Sequence, residues 1–301
     1  MRSIPLFDTN IFPDRQKGEI SDGDWQHLLR HRPPRSWPLS AITVLELLVG
    51  VHRVAPEKFD QVKGQLALAW ELSKGRVLDE PRVLLCRHLL RRPFPLEPIS
   101  KNALSSLMKV TCLANSQEEI LERRVPYKRL MYRGKRLAGI DTTLIDNLMA
   151  GPKEQWVKQI ETQLTEIYPN WCEHLQKTGL RLPEELRIRL ESSEVWDLSR
   201  LKFSESILVW LGADADHPSP SEFAHRIDAV LRFTFWVLRE SLLCRYAYDQ
   251  HESDIYDQFQ LHYLAAERYV FVTNDQKLRN RTSEFSQADR ILSFEQFLKT
   301  L

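Results

Sequence analysis

Short apolar runs alternate with helical periodicity near both ends of the chain. Residues 3–7 predict a strand, and residues 37–41 predict a second extended or turn-like piece. The β-branched and aromatic run at 269–273 is typical of a buried strand. Residues 290–293 predict a last, short strand. Strands that alternate with helices favour a parallel sheet with right-handed crossovers, so the two ends together predict an α/β fold.

Helical patterns fill the rest of the chain. Near the ends, apolar residues recur at helical spacing over 42–53, 59–74, 256–268 and 294–301. Between the ends, predicted helices span 100–110, 116–124, 142–150, 154–178, 183–191 and 221–248, with no clear strand. The sequence therefore predicts one α/β domain formed by residues 1–80 and 250–301, and a mainly α-helical insertion over 81–249.

The composition is that of an ordinary globular protein. Of 301 residues, 43% are apolar and 28% are charged, which excludes a disordered or low-complexity chain. Lys and Arg number 42 against 41 Asp and Glu, so any binding of nucleic acid must depend on local charge. No long apolar leader or membrane-length apolar stretch is found, so we expect a cytoplasmic protein without a membrane segment.

Acidic residues stand where predicted strands end. Asp8 follows the first strand, and Asp275 follows the strand at 269–273. The carboxyl ends of parallel strands meet at one edge of a sheet, where sites form. Glu46 lies on the helix after the second extended piece, and Asp257 opens the helix before the strong strand. Clustered carboxylates repel one another unless a cation joins them, and oxygen ligands without His or Cys suit Mg²⁺ or Mn²⁺.

Most of these residues also have an ordinary structural explanation. Asp8 and Asn10 are typical helix N-cap residues, and Asp275 is a typical turn residue after a strand. Glu46 is harder to explain in this way, because a lone Glu among leucines on an apolar helix usually needs a partner. Support for a site therefore comes from the joint order of these residues along the chain.

These segments together resemble the PIN-domain nucleases. The resemblance is carried by Leu6-Phe7-Asp8-Thr9-Asn10-Ile11, by Ile42-Thr43-Val44-Leu45-Glu46-Leu47-Leu48-Val49-Gly50, and by Asp257 with Val272-Thr273-Asn274-Asp275. The second segment is most similar to the toxin members of toxin–antitoxin pairs, and the spacing of Asp257 and Asp275 matches that of the family. The match covers residues 1–75 and 250–301, and the long insertion departs from the family pattern.

The resemblance implies a three-layer α/β/α fold and metal-dependent hydrolysis of phosphodiester bonds, most often in RNA. It implies that four acids bind Mg²⁺ or Mn²⁺ and carry catalysis, namely Asp8, Glu46, Asp257 and Asp275. Asn10 and Thr273 match the polar residues that orient those ligands. Asp254 competes with Asp257 as a ligand, since residues three apart can face the same side of a helix.

The resemblance also implies a biological setting and partners. We expect an endoribonuclease of the toxin or defence type, with an antitoxin or defence-system partner, and homodimer formation is implied by the family. Two alternatives stay open. One is the same chemistry on DNA, and the other is a PIN-like module that binds nucleic acid or protein without turnover.

A strongly basic segment lies within the predicted insertion. Residues 82–137 hold 13 Lys and Arg against 4 Asp and Glu. Within it, residues 123–136 form what we call the basic arm, whose cations and tyrosines are Arg123, Arg124, Tyr127, Lys128, Arg129, Tyr132, Arg133, Lys135 and Arg136. Cations neutralise phosphates, and tyrosine rings stack on unpaired bases. The arm therefore predicts nucleic-acid binding; a solvated segment or a surface for an acidic partner is the alternative.

Overall fold

A three-stranded parallel sheet joins the two ends of the chain. The computed structural model describes residues 3–33, 36–94, 100–122, 188, 192–211, 213, 218–242 and 253–301. In spatial order the strands are β1 (Ile4–Phe7), β2 (Tyr269–Val272) and β3 (Ile291–Leu292). Ile4 pairs with Tyr269, and Phe271 pairs with Ile291. The first strand of the chain therefore shares a sheet with two strands from its last 33 residues.

Helices connect and cover the strands. In the first part of the chain they are α1 (Ile11–Lys17), α2 (Asp22–Arg30), α3 (Ala41–Arg53), α4 (Phe59–Ser73), α5 (Pro81–His88), α6 (Lys101–Leu113) and α7 (Gln117–Glu122). The later helices are α8 (Ser193–Trp210), α9 (Pro220–Arg226), α10 (Asp228–Leu242), α11 (Ser253–Leu261), α12 (Gln276–Thr282) and α13 (Phe294–Leu298). Single 3₁₀ turns cover Pro56–Lys58, His262–Ala265 and Ala288–Arg290. The protein is therefore of the mixed α/β class.

Successive residues of the strands pack on opposite faces of the sheet. Leu6 and its neighbour Phe271 belong to one buried hydrophobic cluster, whereas Phe7 and its neighbour Val272 belong to another. This is the two-residue periodicity of a strand that is buried on both faces. Both faces of the sheet are therefore covered by apolar residues of helices.

Helices of the predicted insertion share a core with the sheet. Leu84 of α5, Phe223 of α9 and Phe233 of α10 lie in the same cluster as Leu6. On the other face, Met108 of α6 belongs to the cluster that contains Phe7. The described helices between residues 81 and 242 therefore pack against the α/β part of the chain. These helices and the helices near the chain ends together hold the sheet in place.

The predicted strands and most predicted helices near the chain ends are confirmed within a few residues. The extended piece at 37–41 stays outside the sheet, because Leu39 forms only an isolated parallel bridge with Val77. This piece leads the chain into α3.

Two predicted helices are wrong in extent. The range 221–248 contains two helices, α9 and α10, because Ile227 leaves the helical conformation between them. Apolar periodicity does not register a break of one residue, since both helices turn apolar residues toward the same cluster. The range 256–268 begins earlier, at Ser253, and continues after Leu261 as a 3₁₀ turn.

Several predicted segments fall outside the described residues. They are the helices at 142–150 and 154–178, all of 183–191 except residue 188, and the basic arm. Among the helices that are described, none combines the length and the apolar character that crossing a membrane would need.

Candidate active site at the carboxyl edge of the sheet

Asp8 stands directly after β1 and is buried. Its backbone N–H donates to the carbonyl oxygen of Val272 at 2.9 Å, so the β1–β2 ladder continues into the site. Oδ1 of Asp8 accepts from the N–H of Thr9 at 2.7 Å. Oδ2 accepts from the Thr273 hydroxyl and from the Asn10 amide, each at 2.7 Å. The carboxylate is therefore held in one orientation by groups from the ends of both strands.

Thr273 connects Asp8 to the last acid of the predicted site. Its hydroxyl oxygen accepts from the Asn10 amide at 2.9 Å and from the backbone N–H of Asp275 at 3.0 Å. Oδ1 of Asp275 in turn accepts from the N–H of Leu278 at 3.0 Å and caps α12. Asp275 therefore serves as a helix cap and also presents a carboxylate at the sheet edge.

Glu46 approaches Asp8 from α3. The hydroxyl of Thr9 donates to Oε2 of Glu46 at 2.8 Å and lies 3.3 Å from Oδ1 of Asp8. One threonine thus bridges two carboxylates. Thr9 is not among the residues that the sequence pattern predicts for the site, although its position beside Asp8 and its hydroxyl were a usable signal.

Asp257 of α11 completes the group. It is partly buried, and its pKa is raised well above the ordinary value. Burial is the largest cause, and repulsion by Asp8, Asp254, Glu46 and Asp275 follows. The four acids of the predicted site therefore lie near enough to one another for their charges to interact.

The pKa values of Asp8 and Glu46 show the same crowding. Burial raises the pKa of Asp8 to about 6, helped by repulsion from Asp275 and opposed by the hydrogen bonds from Thr273 and Thr9. Burial and then repulsion from Asp8 raise the pKa of Glu46 to about 8. The donors that surround these carboxylates therefore do not offset their desolvation and mutual repulsion.

Asp254 has a different environment from the four acids. Its side chain is buried, and Oδ2 accepts from Nη1 of Arg281 at 2.7 Å. The Arg281 guanidinium also lies over the ring of Trp236, 4.3 Å from the ring centre. The charge of Asp254 therefore has a cation beside it, and the pair ties α11 to α12 and to α10.

Asn274 joins the sheet edge to two neighbouring helices, and it too is absent from the predicted site. Its backbone N–H donates to Oδ1 of Asn10 at 3.2 Å, and its amide donates to Oδ2 of Asp14 at 2.9 Å. Its side-chain oxygen accepts from the N–H of Phe294 at 3.1 Å. These bonds fix the turn that places Thr273 and Asp275.

A cavity of about 970 Å³ borders the sheet edge at Asp275, whereas the other three acids of the predicted site are not among its lining residues. Asn10, Asn274 and Asp275 line it on the side of the sheet edge. A cavity of this size is within the range that proteins use to bind ligands. Of the four acids, Asp275 therefore lies next to this cavity.

The donor chemistry of the four acids fits a hard divalent cation, because every candidate ligand atom is a carboxylate oxygen. Among the described residues, however, no three His, Cys, Asp or Glu side chains are arranged to hold one metal ion. The acids converge on one edge of the sheet without forming a ready coordination shell.

The predicted nucleic-acid-binding residues lie outside the described part of the chain. They are Arg123, Arg124, Tyr127, Lys128, Arg129, Tyr132, Arg133, Lys135 and Arg136. Comparison with other proteins adds no assignment: no protein-family model, curated protein or solved structure matches this chain.

Proposed function

We propose that this protein is a divalent-metal-dependent endonuclease with a PIN-like α/β/α fold. The observation that carries the proposal is the convergence of Asp8, Glu46, Asp257 and Asp275 on one edge of a parallel sheet, with the pKa values of three of them raised. Such crowding costs free energy in the absence of a counter-charge, and a bound cation would remove that cost. RNA is the proposed substrate on the strength of the family resemblance.

The same four acids would hold Mg²⁺ or Mn²⁺. When bound, the cation would neutralise their charge and act as a Lewis acid toward a phosphate oxygen. Because its raised pKa leaves Glu46 largely protonated near neutral pH, binding of a cation there would displace a proton from it. The raised pKa values of Asp8 and Glu46 therefore predict that cation affinity increases from pH 6 to pH 8.

Neutral side chains around the acids have a positioning role in this proposal. Asn10 and Thr273 both donate to Oδ2 of Asp8, so this carboxylate needs little rearrangement when a ligand arrives. Thr9 holds Glu46 beside Asp8 through its hydroxyl. These three residues would orient the ligands.

Binding of a polyanion next to four acids requires cations elsewhere. The basic arm, residues 123–136, supplies nine Lys, Arg and Tyr side chains for this purpose in the sequence. We propose that the arm holds the nucleic acid while the acids act on one phosphodiester bond. A homodimer and an antitoxin or defence partner remain part of the proposal through the resemblance alone.

Cleavage assays on matched RNA and DNA oligonucleotides test the proposal. Wild-type protein and Asp8→Asn are incubated with each labelled oligonucleotide in Mg²⁺, Mn²⁺ or EDTA. Asp60→Asn is a matched control, because Asp60 is an exposed carboxylate on α4. We expect cation-dependent cleavage of RNA by wild type and Asp60→Asn only. Cleavage of DNA alone would change the substrate, and binding without cleavage would favour the non-catalytic module.

A further inference from the structure

A buried polar network lies directly behind the four acids. Ser40 caps α3 by accepting from the N–H of Thr43 at 2.9 Å, and its hydroxyl donates to Oε1 of Gln260 at 2.9 Å. The Gln260 amide donates to the Thr43 hydroxyl oxygen at 2.9 Å, and that hydroxyl donates to the carbonyl of Phe7 at 2.8 Å. All three side chains are 0% exposed. The network therefore joins α3, α11 and the end of β1.

Each end of this network stands next to an acid of the site. Phe7 immediately precedes Asp8. Thr43 lies three residues before Glu46 on α3, and Gln260 lies three residues after Asp257 on α11. Residues three apart on a helix are neighbours on its surface. The three acid-bearing segments are therefore joined one helical turn or less from the acids themselves.

Gln260 is the member of the network that joins the two helices. Its amide carbonyl and amide nitrogen are both bonded to the first turn of α3, through Ser40 and Thr43. Loss of these bonds would leave a buried amide without partners, which costs free energy. The bonds therefore restrict the distance between α3 and α11. An apolar side chain of similar size would fill the space but would tolerate sliding of α11 along α3.

We infer that Gln260 is a positioning residue that sets the placement of Asp257 relative to Glu46 and Asp8. The inference deepens the proposed function, and it rests on that function only for its consequence on metal binding. It predicts that loss of the Gln260 amide disperses the acids while the protein stays folded.

The test compares Gln260→Leu with Gln258→Leu. Gln258 is a matched control, because it lies on the same helix and its amide donates to the Thr234 hydroxyl of α10, on the other side, at 2.6 Å. Mn²⁺ affinity is measured by calorimetry for both variants and the wild type. We expect Gln260→Leu to weaken Mn²⁺ binding by about 10- to 100-fold, the usual effect of losing a group that orients ligands. Gln258→Leu should leave the affinity within about twofold.

A metal-free measurement separates this inference from the proposed function. Crystal structures of the metal-free proteins report where the Asp257 and Glu46 carboxyl groups lie without any cation. We expect Gln260→Leu to increase the distance between these two carboxyl groups and Gln258→Leu to leave it unchanged. If wild type binds no Mn²⁺, the proposed function fails and this distance alone decides the role of Gln260. An unchanged distance in Gln260→Leu would overturn the inference.

A second pair of variants covers the case in which Gln260→Leu does not fold. Thr43→Val keeps the shape of Thr43 but removes the hydroxyl that bonds Gln260 and Phe7, whereas Thr43→Ser keeps the hydroxyl. The inference predicts that Thr43→Val reproduces the loss of Mn²⁺ affinity and the larger distance between Asp257 and Glu46, and that Thr43→Ser retains the wild-type values of both. Equal behaviour of the two variants would contradict it.

Discussion

The hydroxyl of Thr273 donates to Oδ2 of Asp8 at 2.7 Å, although 265 positions separate the two residues in the chain. The bond exists because β1 and β2 are neighbouring parallel strands, and each residue directly follows its strand. The carboxyl ends of such strands necessarily meet at one edge of the sheet. Thr273 is therefore the link through which the last segment of the chain orients the first acid.

Replacing Thr273 should impair activity more than it impairs folding. Thr273→Val removes the donor to Asp8 and the acceptor for the Asp275 N–H, so we expect Mn²⁺-dependent cleavage to fall about 10- to 100-fold. Thr273→Ser keeps the hydroxyl and should retain activity within a few-fold. Initial cleavage rates at saturating Mn²⁺ check this, and equal rates for the two variants would exclude a role for the hydroxyl.

Stability without metal should fall as the pH rises from about 4.5 to 8. The pKa of Glu46 is raised from its ordinary value of 4.5 to about 8 in the folded protein. Between these values the folded state binds more protons than the unfolded state, so the free energy of unfolding decreases with pH. Glu46→Gln removes this group and should flatten the slope by up to about 1.4 kcal/mol per pH unit. Chemical denaturation from pH 4 to 9 measures it, and parallel curves would contradict it.

A divalent cation should reverse this loss at high pH. At pH 8, Mn²⁺ at 100 times its dissociation constant should raise the free energy of unfolding by about 2.7 kcal/mol. The gain should be much smaller at pH 5, because Asp8 and Glu46, whose pKa values are raised, are then mostly protonated. Thermal or chemical unfolding with and without Mn²⁺ measures both values. An equal gain in the free energy of unfolding at the two pH values would show that these carboxylates do not bind the metal.

Asp254 and Asp257 should respond differently to the same substitution. Asp254→Asn leaves Arg281 with a neutral partner, so we expect a loss of stability of up to about 3 kcal/mol and little change in Mn²⁺ stoichiometry. Asp257→Asn removes a carboxylate from a crowded group, so Mn²⁺ binding should fall while stability at pH 8 rises. Calorimetry and denaturation on both variants check this. Loss of Mn²⁺ binding in Asp254→Asn at full stability would make Asp254 a ligand.

The basic arm should account for much of the salt dependence of nucleic-acid binding. Replacing Arg129, Arg133, Lys135 and Arg136 with Gln removes four cations. A plot of the logarithm of the binding constant against the logarithm of the salt concentration has a negative slope. This slope should become shallower by about 0.7 for each phosphate of a single strand that the four cations no longer neutralise. The four substitutions are made in the Asp8→Asn variant, so that the nucleic acid is not cleaved during these measurements. Fluorescence anisotropy at several salt concentrations gives the slope, and an unchanged slope would assign the arm another role.

The sequence predicts the edge of the sheet well because the relevant signals are local. A buried strand followed at once by Asp8 or by Thr273 and Asp275 predicts where those residues lie as soon as the strands are taken as parallel. Glu46 is predictable for a similar reason, since an acid among apolar helix residues needs a polar environment.

The parts that the sequence does not predict depend on contacts between distant segments. In the sequence, Gln260 looks like any polar residue of an amphipathic helix. Only its hydrogen bonds to Ser40 and Thr43 in the structure show that it belongs to a buried network. The partner of Asp254 is Arg281, 27 positions away, and no local pattern connects them. The break between α9 and α10 at Ile227 is equally invisible to a periodicity that continues through it.

Calorimetry of Mn²⁺ binding at pH 7.5 to metal-free wild type and Asp8→Asn shows whether the four acids share a cation. We expect saturable binding to wild type, accompanied by proton release, and a loss of at least about 100-fold in affinity for Asp8→Asn. The exposed-site control Asp60→Asn should bind as wild type does. Absence of saturable binding to wild type, or equal affinity in Asp8→Asn, would contradict the claim that these acids share a cation.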